Sequence, residues 1–149
     1  MPKISTNGKF EGNKYFTTPA LLEKDKNSQM DLFHMIHPKW IERHYRHMTE
    51  AIRGLERGDD SWACYNAYVA VRALLMGVLG SHPYAPTPSL HALPALLAKA
   101  VGNPSAEAVR CAYCLERRLT DPKGDLCVKC ADLISECLSK LGPGLIHGK

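Results

Sequence analysis

From residue 38 onward the apolar positions recur at helical spacing. Ile41, Tyr45, Met48, Ile52 and Leu55 fall at steps of four, three, four and three. This is one stripe of an amphipathic helix facing a single partner surface. Pro38 suits its first turn and Gly58 its end. The run "GDDS" at 58–61 supplies a turn and an N-cap for a second helix over about 61–79. That helix is apolar on nearly every side, which predicts the buried centre of a bundle. A proline-rich loop, "SHPYAPTPS", follows. Ser89 caps a third helix in "LHALPALLAKAV", with Pro94 held near its first turn. "GNPS" stops that helix and "AEAVR" adds a further turn. The last helix is expected from about Cys127 to Leu141, closed by Gly142 and Pro143. Residues 1–30 scatter their few apolar residues among Gly, Asn, Lys, Ser and Thr, the pattern of an extended or poorly ordered arm. The predicted fold class is mainly α, an up-and-down helical bundle.

One stretch breaks the helical pattern. In "CAYCLERRLTDPKGDLCVKC", residues 111–130, Cys111, Cys114, Cys127 and Cys130 form C-x2-C-x12-C-x2-C. Each Cys-x-x-Cys curls around a metal as a knuckle, and two knuckles give the tetrahedral thiolate set that zinc prefers. "LERRLT" alternates like a strand. Asp121, Pro122 and Gly124 take the first, second and fourth places of a type I turn. Knuckle, short β-hairpin and a second knuckle at a helix N-terminus predict a small four-cysteine zinc finger of the treble-clef type. Its zinc is structural, because four thiolates leave no open coordination position. A redox Cys-x-x-Cys needs one pair and a βαβ setting, and disulfides are rare in a reducing compartment, so both are weaker readings. Cys64 and Cys137 are left over and read as small buried hydrophobes. The expected layout is an arm at 1–30, a helical bundle at 31–105 and, at 106–149, a finger whose helix packs on the bundle.

The 149 residues suit one domain, or one domain with a small appendage, and a hydrophobic fraction of 45% is enough for a core. A net charge of +4 is spread along the chain, seven basic against six acidic side chains in residues 102–149. Charge alone therefore does not drive nucleic-acid binding. Arg110, Arg117, Arg118, Lys123 and Lys129 could still form a phosphate-facing edge on the finger, diluted by Glu116, Asp121 and Asp125. No apolar stretch at the N-terminus reads as a signal peptide, and no run is long enough to span a bilayer. The expectation is a cytoplasmic protein without a membrane partner.

The run "GDDSWACYNAYVAVRALLMGVL" followed by "LHALPALL" resembles the second helix and the start of the third helix of HEPN domains, small prokaryotic helical bundles. The resemblance covers about residues 38–101. It implies a bundle of four or five helices that often forms a homodimer. It also implies roles in RNA cleavage, nucleotide or nucleic-acid binding, or partnering a nucleotidyltransferase. HEPN ribonucleases carry an Arg and a later His with four to six residues between them, a spacing absent here. Arg43, Arg46 and His47 are the nearest substitute, on the wrong helix, so ribonuclease activity is not carried over. His91 matches the third-helix motif and reads as structural. His34 with His37, and His44 with His47, each share a helical face at i, i+3, but without a His-Glu-x-x-His signature they read as a hydrated polar face. The sequence thus predicts a non-catalytic, zinc-containing binding module. Its candidate ligands are RNA or another nucleic acid; the alternatives are a structural or adaptor subunit of a larger assembly, or a divergent HEPN ribonuclease using Arg43, Arg46 and His47.

Overall fold

A computed structural model describes residues 36–85 and 92–140, and it is helical throughout. Five α-helices follow one another: α1 Pro38–Glu56, α2 Asp60–Val78, α3 Leu93–Val101, α4 Ala106–Glu116 and α5 Gly124–Ser139. A 3-10 turn, Arg117–Leu119, joins the last two. The arm at 1–30, His34, Ser89, His91 and the Gly142-Pro143 stop lie outside the described residues.

Local chemistry explains where the helices begin. His37 Nδ1 accepts the Lys39 amide at 3.0 Å, with Pro38 in the first turn of α1. Asp59 Oδ1 accepts the Trp62 amide, and Ser105 Oγ accepts the Ala108 amide. Helix α3 has no cap of its own. The Glu116 carboxylate, arriving from the end of α4, accepts the Leu93 amide instead.

Helix α2 is the centre, as its all-round apolar sequence predicts. Ala63, Cys64, Ala67, Ala70, Val71 and Leu75 are fully enclosed. Small residues let α1 approach it closely. A Cβ built on Gly54 would lie 2.9 Å from the Ala63 amide nitrogen, and one on Gly77 would lie 3.0 Å from Trp40 Cβ. Helices α4 and α5 join the same core through Ala108, Ala112, Leu115, Val128, Ala131, Ile134 and Leu138.

Two expectations change. The buried face of α1 is Trp40, His44, Met48, Ala51 and Ile52, while Ile41 and Leu55 only flank it. A histidine thus occupies a core position in what looked like the polar face. The short β-hairpin is not formed. Helix α4 is capped at Ser105 and runs through Cys111 and Cys114 to Glu116, and α5 begins at Gly124. "LERRLT" has strand-like alternation but no strand to pair with among the described residues. A capped helix that buries Leu115 wins over it.

Candidate metal centre

The chain from 106 to 139 is a helical hairpin, and its cysteines lie along the seams that α5 makes with its neighbours. Cys111 and Cys114 stand one turn apart on α4, as do Cys127 and Cys130 on α5. The Cys130 thiol lies near the thiols of Cys111 and Cys114. These three predicted ligands adjoin one another without forming a group arranged to hold a metal ion. Burial is the main reason that the Cys130 thiol titrates far above the usual range, with the neighbouring Cys111 thiol adding to it. Burial also raises Cys111 and Cys137.

The fourth thiol faces elsewhere. Cys127 forms a disulfide with Cys64 of α2, with Cα atoms 5.1 Å apart. Both residues are enclosed in the core. A hydrogen bond from the Gly124 amide to Asp60 Oδ1, 3.3 Å, holds the same two helix starts together. Among the described residues, no group of three or more His, Cys, Asp or Glu side chains is arranged to hold a metal ion. The donor chemistry suits zinc, but with Cys127 engaged the four-thiol set is incomplete. Cys64, read from the sequence as a plain hydrophobe, is the residue that sequence reasoning missed. Its partner lies 63 positions away and no local pattern points to it.

The predicted basic edge is divided. The Arg118 guanidinium lies 3.5 Å above the Tyr68 ring and donates to the Leu115 carbonyl. Its Nε is buried without a partner, and Glu116 stands 3.8 Å from Nη1. It ties the 3-10 turn to α2 and is withdrawn from solvent. Lys123 pairs with Asp121 at 3.6 Å. Arg110, Arg117, Lys123 and Lys129 are exposed.

Two of the candidate histidines, His44 and His47, are used inside the fold. His44 is buried, donates from Nδ1 to the Ala70 carbonyl at 2.8 Å, and has Ser135 Oγ 3.4 Å from Nε2. Burial lowers its pKa to about 4, which keeps the ring neutral. His47 Nδ1 bonds Asn66 Oδ1 at 2.9 Å. Arg43 stacks on Trp40 and Tyr84, and Arg46 faces Glu42 at 3.8 Å. Arg43, Arg46 and His47 thus have separate partners. No helix among the described residues is long and apolar enough to cross a membrane.

Several large apolar side chains are left exposed on α2, on the 3-10 turn and on α5. Trp62 and Tyr65 stand on the first turns of α2 with ring centroids 6.1 Å apart, both partly exposed. Leu119, 82% exposed, projects from the 3-10 turn that Arg118 pins to α2, and Leu126 is exposed on the first turn of α5. No protein-family model, no curated protein and no solved structure matches this chain.

Proposed function

We propose that this chain is a non-catalytic binding module that docks a protein partner on the surface around Trp62, Tyr65, Leu119 and Leu126. The carrying observation is the set of exposed large apolar side chains on α2, α5 and the 3-10 turn, with Leu119 82% exposed and Trp62 and Tyr65 exposed on α2. Aromatic and apolar residues grouped on a surface suit the centre of a protein interface. The basic side chains that would make a phosphate site are partly diverted, Arg118 to Tyr68 and Lys123 to Asp121. This favours the subunit role over a nucleic-acid role. The HEPN-like reading agrees with a helical bundle of this size and supports a partner-binding role, with a second copy of the chain among the candidates.

A second reading, RNA or another nucleic acid, rests on the exposed Arg110 and Arg117, three and four positions from the exposed Tyr113, and on the exposed Lys129. Exposed aromatics beside cations suit single strands, on which bases stack. Zinc belongs to either reading as a structural ion on Cys111, Cys114, Cys127 and Cys130. In the cytoplasm, where thiols are kept reduced, Cys127 is free to take part.

The test compares wild type with Leu119→Asp and Arg117→Ala, all checked for native helicity. On the docking reading, Leu119→Asp loses the partners that wild type retains from its own host, and Arg117→Ala keeps them. Nucleic-acid binding that weakens with salt, drops in Arg117→Ala and ignores Leu119→Asp would reverse the order of the two readings.

A further inference from the structure

Past the last turn of α2 the chain is held firmly against the start of α1. Gly80, at φ 75–90° like the other helix-ending glycines and itself at φ 81, closes α2, and the Ser81 amide reaches back to the Met76 carbonyl at 3.1 Å. The Trp40 indole of α1 donates to the Ser81 carbonyl at 2.7 Å. Buried Pro83 takes the second place of a turn closed by the Ala85 amide on the His82 carbonyl. This backbone gathers four polar side chains. The His37 ring lies 5.9 Å from that of His82 and 6.1 Å from that of Tyr84, and the last two are 5.7 Å apart. The Arg43 guanidinium stands 4.9 Å from the Trp40 ring and 5.9 Å from the Tyr84 ring.

The hydrogen-bond donors of this group are only partly used by the fold. Nδ1 of His37 accepts the Lys39 amide and Nδ1 of His82 accepts the Tyr84 amide. The neutral rings therefore carry their hydrogen on Nε2 and present it as a donor. Stacking uses the faces of the Arg43 guanidinium and leaves its N–H edge for an anion. Glu42, the acidic residue next to Arg43, is bonded to Lys39 at 2.8 Å, and residues 78–85 contain no acid. Beside these donors Tyr84 is 65% exposed. We propose that His37, Arg43, His82 and Tyr84 bind a single-stranded nucleic acid, with one phosphate on the Arg43 and imidazole N–H groups and the adjoining base stacked on Tyr84. Exposed aromatic faces beside cations are how proteins hold single strands. A phosphopeptide would use the same donors but has no base to lay on the tyrosine, and a duplex keeps its bases stacked on one another. The site is independent of the docking surface proposed above. Trp62 of that surface stands on the first turn of α2, about 24 Å along the axis from the last residue of the helix. It also shares no residue with the basic edge at Arg110, Arg117 and Lys129.

The test titrates the full chain into a fluorescein-labelled oligouridylate, its duplex with oligoadenylate and a labelled phosphoserine peptide. Binding is read by fluorescence anisotropy at two salt concentrations, and each variant is first checked for native helicity. Wild type is expected to bind the single strand more tightly than the duplex or the peptide. Tyr84→Ala weakens that binding about tenfold, within the range of one lost base stack, while Tyr84→Phe leaves it unchanged. Arg43→Ala weakens it and lowers the salt slope by about one, and Arg117→Ala does neither. His37→Ser, which keeps an oxygen to cap α1, and His82→Ala each weaken it about tenfold, the loss of one hydrogen bond to a charged group. A dissociation constant for the single strand no lower than about 10⁻⁴ M near physiological salt overturns the proposal. So does binding that Tyr84→Ala leaves intact, or a duplex bound as tightly as the single strand. A phosphoserine peptide bound more tightly than the strand, and lost in Arg43→Ala, overturns it by giving the site to a phosphopeptide. Binding lost in Arg117→Ala and kept in Arg43→Ala overturns it by moving the strand to the basic edge.

Discussion

Breaking the bond between α2 and α5 should produce the largest stability change available from any one cysteine. The crosslink joins positions 63 residues apart. In the chain-entropy picture a closed loop of that length lowers the entropy of the unfolded ensemble by an amount worth about 4 kcal/mol at room temperature. For a domain of this size that moves the urea midpoint by about 2 M. Urea unfolding followed by helical ellipticity, with a chelator present to remove zinc, measures it directly. Oxidised wild type should unfold about 2 M later than reduced wild type. Cys64→Ala should unfold near the reduced value whether or not reductant is present. Coincident curves for oxidised and reduced wild type would refute the reasoning. A shift that survives in Cys64→Ala would mean that another cysteine pair carries it.

Three further outcomes follow from other parts of the molecule. His44 is neutral in the fold with a pKa of about 4, against an ordinary 6.5. Its stabilising contribution, on the order of 3 kcal/mol, is complete above pH 6.5 and is lost as pH falls toward 4; His44→Gln should flatten that slope in urea titrations at pH 7, 5.5 and 4.5. Gly54→Ala should lower the melting temperature by several degrees, because crowding the Ala63 amide at 2.9 Å costs about 1–3 kcal/mol, more than the roughly 1 kcal/mol gained in helix propensity. A rise in melting temperature would show that α1 can shift away. Arg118→Ala should destabilise the fold by removing the stack on Tyr68, by about 1–2 kcal/mol, whereas the exposed Arg117→Ala should leave thermal unfolding unchanged.

The bundle was legible because period and punctuation agreed. The positions after Pro38, the Gly-Asp turn before α2 and the Pro-bearing start of α3 each marked a helix that forms. The phase of α1 was misjudged because a histidine normally marks a polar face. His44 is buried only because Ala70 offers a carbonyl to its ring, and that carbonyl comes from another helix. The hairpin was misjudged because "LERRLT" fits both periods. The Ser105 cap and the burial of Leu115 decide between them, and the second is a tertiary fact. In the site, spacing singled out Cys111, Cys114, Cys127 and Cys130, and the structure joins Cys127 to Cys64 instead. It could say nothing of Cys64, since pairing across 63 residues depends on how α2 and α5 pack.

The tie between Gly124 and Asp60 and the disulfide beside it also bear on the order in which the chain can be completed. Helix α2 is made early and α5 last among the described helices. Until residues beyond 123 have left the ribosome, the side of α2 bearing Ala63 and Cys64 has no α5 to cover it. A nascent chain halted before Gly124 would therefore expose an apolar flank at a stage when α1 through α4 are already available to fold. Closing that flank needs a long-range contact, which is slow to form compared with the helices themselves. The last helix is thus the rate-setting piece of this bundle, and the interval before it docks is when the molecule is most exposed to aggregation.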